Sequence, residues 1–297
     1  MPGYIDKFEE AFFIYSFRFP TITVSPQSQL QQPLKIQGDA DFVWRGFMTG
    51  QASVALDDWT AGLPQVVGGV ASPGYRLKPY LPDSRGIFNT AGVFSQINEG
   101  VTVNFGTGQI PFPMAPEVLL SKNSTLFLDI VSNLGALNYA VMFDLRGVKL
   151  LEKGTRYQID RTKHYRTEQY SYLVRLLNPA QLTPGVRFVG TQALKLDSDS
   201  EFLLYSIEIS PNLAPLQFQF YGPEGEFTSA NVTNGTPQPS LISLSSIAGS
   251  SQFPGVICPP MAYPAAGRIA YDYVVPAAGI AAPDGWIRFR GAKLYAT

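Results

Sequence analysis

The stretch at 142–150, MFDLRGVKL, is written a second time near the C-terminus, at 286–294, as WIRFRGAKL. Arg146, Gly147, Lys149 and Leu150 recur as Arg290, Gly291, Lys293 and Leu294 with identical spacing. Before the glycine, Val141, Phe143 and Leu145 alternate with Met142 and Asp144, and Ile287 and Phe289 alternate with Arg288 and Arg290. A period of two marks a strand with one buried face. Past the glycine the apolar positions change parity, to Val148 and Leu150 and to Ala292 and Leu294, which predicts a β-bulge at that point. A chain that carries one closing strand twice is constrained to build two like units.

The likeness extends upstream. Tyr15-Ser-Phe-Arg18 resembles Tyr172-Leu-Val-Arg175; Leu34-Lys35 matches Leu194-Lys195; Asp39 and Phe42 match Asp199 and Phe202. Pro113-Met114-Ala115 is paired with Pro260-Met261-Ala262, and Asp129 with Asp272. The matches fall in one order, with separations of 157, 160, 147, 143 and 144 residues, as a tandem duplication with small insertions and deletions would leave. After each Leu-Lys a single strand is expected, at 35–44 in the first copy. Ile36, Ala40, Phe42 and Trp44 (then Leu196, Phe202 and Leu204) point to the core, and the carboxylates between them face water or a partner.

Glycine (27) and proline (24) punctuate the 297 residues too often for long helices. Further strands are predicted at 52–56, 101–105, 125–131, 216–220 and 268–274. Gly222-Pro-Glu-Gly225 reads as a tight turn and 82–86 as a loop; short helices are expected at 117–120 and 238–247. The fold class is all-β: two tandem, internally duplicated β-sandwich (jelly-roll-like) domains, 1–156 and 157–297. The boundary falls near 154–160 in the charged run that holds Lys153, Arg156, Asp160, Arg161, Lys163, His164 and Arg166. By contrast 227–267 has no charged residue, as befits an ordered surface loop or one packed on another subunit.

Charged residues make up only 15% of the chain and the net charge is −1, which gives no electrostatic grip on nucleic acid or an acidic membrane. No apolar run reaches the roughly 18 residues of a membrane-spanning helix. Asp6, Glu9 and Glu10 stand where a secretory leader needs a basic start, so synthesis in the cytoplasm is expected. The single cysteine, Cys258, excludes an intrachain disulfide and reads as a small buried apolar group.

The chemistry-bearing residues are few. The single histidine, His164, sits in the charged linker, and no Gly-x-Ser-x-Gly elbow accompanies it. Asp39 and Asp41, and Asp197, Asp199 and Glu201, place carboxylates roughly 7 Å apart on a strand face. Such pairs can hold calcium or serve glycoside hydrolysis; a solvated face that discourages edge pairing is the plainer reading. Trp44 belongs to the core by its alternation, while Trp59, Tyr75 and Tyr80 are candidates for stacking on a sugar or for subunit contact. No catalytic residue, metal site or cofactor is assigned.

The run Asn123-Ser-Thr-Leu-Phe-Leu-Asp-Ile-Val-Ser-Asn133, the closing strand from Ala140 to Lys149, and the approach Ile110-Pro-Phe-Pro-Met-Ala-Pro116 resemble a group of tailed-bacteriophage virion structural proteins. The resemblance covers most of 34–150 and is fainter in the second half, where Val275-Pro-Ala-Ala278 replaces the Asn element. It implies β-sandwich domains that decorate a capsid or form a neck, collar or fibre base. The expected function is therefore that of a non-enzymatic virion component that binds copies of itself and capsid, portal or neck proteins. Expected contact residues are Trp59, Tyr75, Tyr80, Phe253 and Tyr263. The alternatives are a carbohydrate- or receptor-binding fibre module and an enzyme using the paired aspartates.

Overall fold

The computed structural model of the chain describes residues 7–19, 29–53, 58–61, 66–67, 70–71, 75–81, 112–132, 139–160, 162–176, 187–213, 216–223, 225–226, 228–230, 242–248, 255–275 and 285–296. The first half runs β1 (Phe8–Phe19), β2 (Gln29–Lys35), β3 (Asp41–Ser53), β4 (Asp58–Ala61), β5 (Val66–Val67), β6 (Val70–Ala71), β7 (Tyr75–Tyr80), β8 (Phe112–Leu120), β9 (Thr125–Ser132) and β10 (Tyr139–Glu152). The second runs β11 (Tyr165–Leu176), β12 (Arg187–Lys195), β13 (Glu201–Ile209), β14 (Gln217–Gly222), β15 (Gly225–Glu226), β16 (Thr228–Ala230), β17 (Ile242–Ser243), the single turn α1 (Leu244–Ile247), β18 (Gly255–Tyr263), β19 (Arg268–Val274) and β20 (Gly285–Ala296). The fold is all-β, and its sheets pair into two sandwich-like halves.

Seven strands of each half repeat each other in order. In the first, β1-β10-β3-β8 form one sheet and β2-β9-β7 the other; in the second, β11-β20-β13-β18 and β12-β19-β14 do the same in the same chain order. The closing strands β10 and β20 lie inside the larger sheets. Between Arg146 and Gly147 the register with β3 slips by one residue, passing from Gly46 to Trp44. Between Arg290 and Gly291 the register with β13 slips in the same way, from Ser206 to Leu204. The expected bulge is present in both copies, but its extra residue, Arg45 or Tyr205, belongs to the neighbouring strand. Glycine is required opposite it: a Cβ on Gly147 would stand 2.0 Å from the Val43 carbonyl oxygen, and one on Gly291 would stand 1.9 Å from that of Leu203.

Several expectations are corrected. The single strand expected at 35–44 is two strands with a turn between them. Lys35 ends β2 in the smaller sheet, Ile36 donates its N–H to Ser124, and Asp41 begins β3 in the larger one. Ile36, Phe42 and Trp44 are nonetheless all buried, because the turn carries the chain from one wall of the sandwich to the other around one core. Residues 117–120 are strand, not helix: Val118 and Leu120 pair with Trp44 and Phe42. Of the expected helix at 238–247, only Leu244–Ile247 is helical among the described residues. The Pro-Met-Ala match is four residues out of register. Leu120 faces Phe42 as Tyr263 faces Phe202, which pairs Val118 with Met261 and Pro116 with Pro259. Both of those prolines follow a cis peptide bond, Ala115-Pro116 and Cys258-Pro259.

The strands expected at 125–131, 216–220 and 268–274 are β9, β14 and β19, and Gly222 pairs with Gly225 across the expected turn. The strand expected at 52–56 is described only to Ser53, as the end of β3, and 82–86 and 101–105 lie outside the described residues.

Each sandwich is filled by aromatic rings. Phe143 packs against Trp44, Phe17 and Phe47 in the first, and Phe218 stacks on Phe220, Tyr271 and Tyr273 in the second. Such rings supply large apolar areas with few rotors to freeze. The halves touch along β1 and β18, and β16 from the charge-free stretch pairs in parallel with β1 at Ile14–Ser16. The expected water-facing side of the first closing strand is corrected: Asp144 and Arg146 are buried, and Arg146 donates to the Val256 carbonyl of the other half. Their counterparts Arg288 and Arg290 stay partly exposed, paired to the buried Glu208 at 3.0 and 3.1 Å. Residues 153–157 are fastened to both halves, Lys153 N–H to the Lys7 carbonyl at 3.2 Å and the Tyr157 hydroxyl to Glu201 at 2.7 Å.

Candidate functional site

Three of the five carboxylates singled out by the sequence, Asp39, Asp197 and Asp199, converge on the two repeated lysines, whereas Asp41 accepts the Lys122 N–H at 2.8 Å and Glu201 accepts the Tyr157 hydroxyl at 2.7 Å. Lys149 reaches from β10 to the turn between β2 and β3, where its ammonium lies 2.8 Å from Asp39 and donates also to Gln37. Lys293 reaches from β20 to the matching turn, 2.5 Å from Asp197 and 3.7 Å from Asp199. Each lysine is almost fully buried, while its acid partners are about half exposed. The ammonium of Lys149 lies 3.9 Å from the centre of the Phe13 ring, and that of Lys293 lies 4.2 Å from Tyr170. A buried lysine is tolerated when its stem covers aromatic surface and its head reaches a carboxylate at the rim.

A tyrosine completes each cluster. The Tyr15 hydroxyl accepts the Gln37 N–H at 3.0 Å, and the Tyr172 hydroxyl accepts the Asp197 N–H at 3.2 Å while donating to that residue's carboxylate at 3.1 Å. Tyr15 stands edge-on to Phe42 at 4.9 Å, and Tyr172 to Phe202 at 5.0 Å. The shared register makes Phe13, Tyr15, Asp39, Phe42 and Lys149 the counterparts of Tyr170, Tyr172, Asp199, Phe202 and Lys293.

Electrostatics follow from this packing. Burial pulls Lys293 down, but its hydrogen bond to Asp197 and the surrounding negative charge outweigh that, and its pKa stands above the ordinary lysine value. The same hydrogen bond from Lys293 holds Asp197 below the usual aspartate value. Burial pushes Tyr172 up to about 12 and drives Tyr15 higher still. The arrangement fixes each inter-sheet turn onto the closing strand. Among the described residues no three metal-binding side chains converge.

A second duplicated pair was not visible in the sequence. The Tyr80 hydroxyl donates to Asp129 at 3.2 Å, and the Tyr221 hydroxyl donates to Asp272 at 2.8 Å. Both aspartates are buried, and β7–β9 pairs Tyr80 with Phe127 as β14–β19 pairs Tyr221 with Ala270. The match of Asp129 with Asp272 was its one legible half.

The expected contact residues scatter. Tyr263 is fully buried, its hydroxyl directed at the Tyr221 carbonyl, so it is core and not contact surface. Tyr80 is half-buried and stacks on Phe127 at 5.5 Å. Trp59 and Tyr75 lie on β4 and β7, and Phe253 lies outside the described residues. His164 is exposed just ahead of β11. Cys258 is exposed rather than buried, because it alternates with buried Ile257 and shares the outward side of β18 with Val256.

No family model and no curated protein matches the chain. Among solved structures it is similar to the PBSX exported protein XepA (10% identity, covering 93% of this chain and 86% of that one, TM-score 0.21). It is also similar to a protein described as secreted, from Eubacterium rectale (9% identity, covering 91% and 70%, TM-score 0.20). At such TM-scores neither likeness carries a functional inference.

Proposed function

We propose that the chain is a non-enzymatic structural component of a tailed-phage virion, a capsid-decoration or neck-collar protein made of tandem sandwich domains at 1–156 and 157–297. It works by contacts with copies of itself and with capsid, portal or neck proteins. The observation that carries this reading is the use to which the candidate catalytic carboxylates are put. Asp39, Asp197 and Asp199 face lysines that brace the fold, in both copies, at the rim of a sandwich. A hydrolase would need two carboxylates flanking a bond in a cleft. The motifs around Asn123–Asn133 and the closing strand add the phage resemblance. A body of rigid sheets that commits its polar groups to bracing is suited to repeated contacts.

The test is whether the protein travels with particles. Tagged protein is expected to co-sediment with virions through a density gradient and to decorate a defined part of them in electron micrographs. Protein that stays wholly in the soluble fraction defeats the proposal.

A further inference from the structure

On the outward side of the first closing strand, Arg146 is buried and seated on a carbonyl of the other half, that of Val256. The matching side of the second closing strand is open. Trp286, Arg288 and Arg290 alternate on β20 with the buried Ile287 and Phe289. The register sets Arg175 and Leu173 of β11 directly across from Trp286 and Arg288, and Glu208 and Ser206 of β13 across from Arg288 and Arg290. Directly opposed residues share a face, so one side of this sheet gathers three arginines about 7–8 Å apart along and across its strands.

Charge on this stretch of the face does not balance. Among the described residues its one acid is Glu208, which is wholly buried and is reached by Nη1 of Arg288 at 3.0 Å and Nη1 of Arg290 at 3.1 Å. Those two bonds use a small part of the donors that two guanidinium groups carry. Arg288 also lies over the Trp286 ring, 4.9 Å from its centre. Arg175 is exposed and makes no hydrogen bond or ion pair with a described residue. The buried acid therefore holds two guanidinium groups in place without using them up, beside a third that has no acid of its own among the described residues.

We infer that this face docks an acidic segment of a partner protein, an extended run in which carboxylates alternate with apolar side chains. Three arginines against one acid leave two positive charges on a chain whose net charge is −1, and the complement is a group of carboxylates. Alternate residues of an extended segment stand about 7 Å apart, which is the spacing of Arg288 and Arg290, and a guanidinium takes a carboxylate by paired N–H bonds. Leu173, exposed, and Trp286, half-buried, lie among the arginines and meet the apolar side chains between the acids. Two unbalanced charges are too few for a nucleic acid, whose hold comes from neutralising many phosphates at once. A protein occupant is also what the matching side of the first half carries, since Arg146 sits against Val256. The inference stands on charge and register and not on the virion reading, so the particle test and the one below can fail separately.

Fluorescence anisotropy of a labelled peptide of alternating glutamate and valine, titrated with the full chain, tests it. The wild type is expected to bind the peptide, and a peptide with glutamine in place of glutamate is expected to bind at least ~10-fold more weakly. Arg175→Glu, which breaks no bond to a described residue, is expected to raise the Kd at least ~10-fold with an unchanged urea midpoint. Arg290→Gln, which leaves Glu208 paired to Arg288, is the second variant and is expected to raise it at least ~3-fold. No binding of the acidic peptide up to about 1 mM, or binding that Arg175→Glu leaves unchanged, overturns the inference. So does a labelled oligothymidylate that binds more tightly than the peptide and loses its hold in Arg175→Glu.

Discussion

Gly147 and Gly291 occupy the same position in two sheets, each facing a one-residue bulge in the neighbouring strand and each with no room for a Cβ. The obstruction is backbone on both sides, the carbonyls of Val43 and Leu203, and backbone cannot step aside as a side-chain tip can. Gly147→Ala and Gly291→Ala are each expected to cost about 2–4 kcal/mol, with similar values for both. Urea denaturation measures this; a loss at one glycine only would show that the two bulges are not equivalent.

Asn123 and Ala266 hold left-handed backbone, at φ 63° and 58°, in the matching turns between β8 and β9 and between β18 and β19. An alanine there is strained, whereas glycine is not. Ala266→Gly is therefore expected to raise stability by about 0.5–1 kcal/mol, read as a higher Tm. An unchanged or lower Tm would contradict the turn geometry.

The buried acids of the smaller sheets depend on their tyrosines. Tyr221→Phe leaves Asp272 without the 2.8 Å bond from that hydroxyl and is expected to cost about 1.5–3 kcal/mol. Tyr80→Phe is expected to cost less, because its bond to Asp129 is longer, at 3.2 Å, and Gln31 also donates to that carboxylate. Thermal denaturation of the two variants gives the order.

Stability is expected to fall at both ends of the pH scale for separate reasons. Asp197 titrates below its unfolded value of 3.8, so its bond to Lys293 stabilises the fold above that pH and is lost as pH falls through the depressed value. Asp197→Asn should lower stability at neutral pH and flatten the acid limb. Burial raises Tyr172 and Tyr271 to about 12, so their contribution is whole below pH 10 and is lost as pH climbs from 10 toward 12. Tyrosinate absorbance and ellipticity followed together should then change in one alkaline transition.

The duplication was legible in the sequence where both copies kept the same letters: Arg-Gly-x-Lys-Leu, Leu-Lys, and the pairs Tyr15/Tyr172 and Asp129/Asp272. Their order along the chain reproduces the observed strand equivalence. What failed was whatever depends on three-dimensional register. Pro116 and Pro259 correspond, yet the more conspicuous Pro-Met-Ala triplets drew the alignment four residues away. The lysines were seen as repeated, but their partners lie on a turn 110 residues earlier in the chain in the first copy. Periodicity reports which face a side chain shares and not what covers that face. It therefore could not foresee the burial of Asp144, the burial of Arg146 against Val256 of the other half, or the exposure of Cys258.

The repeated lysine of each closing strand is held by a carboxylate of the inter-sheet turn, Asp39 in the first copy and most closely Asp197, the counterpart of Gln37, in the second. Double-mutant cycles, Lys149→Met with Asp39→Asn and Lys293→Met with Asp197→Asn, measure it most directly. A favourable coupling of about 1–3 kcal/mol is expected in each cycle, with no coupling between Lys149 and Lys293. Additive losses within both pairs would contradict it.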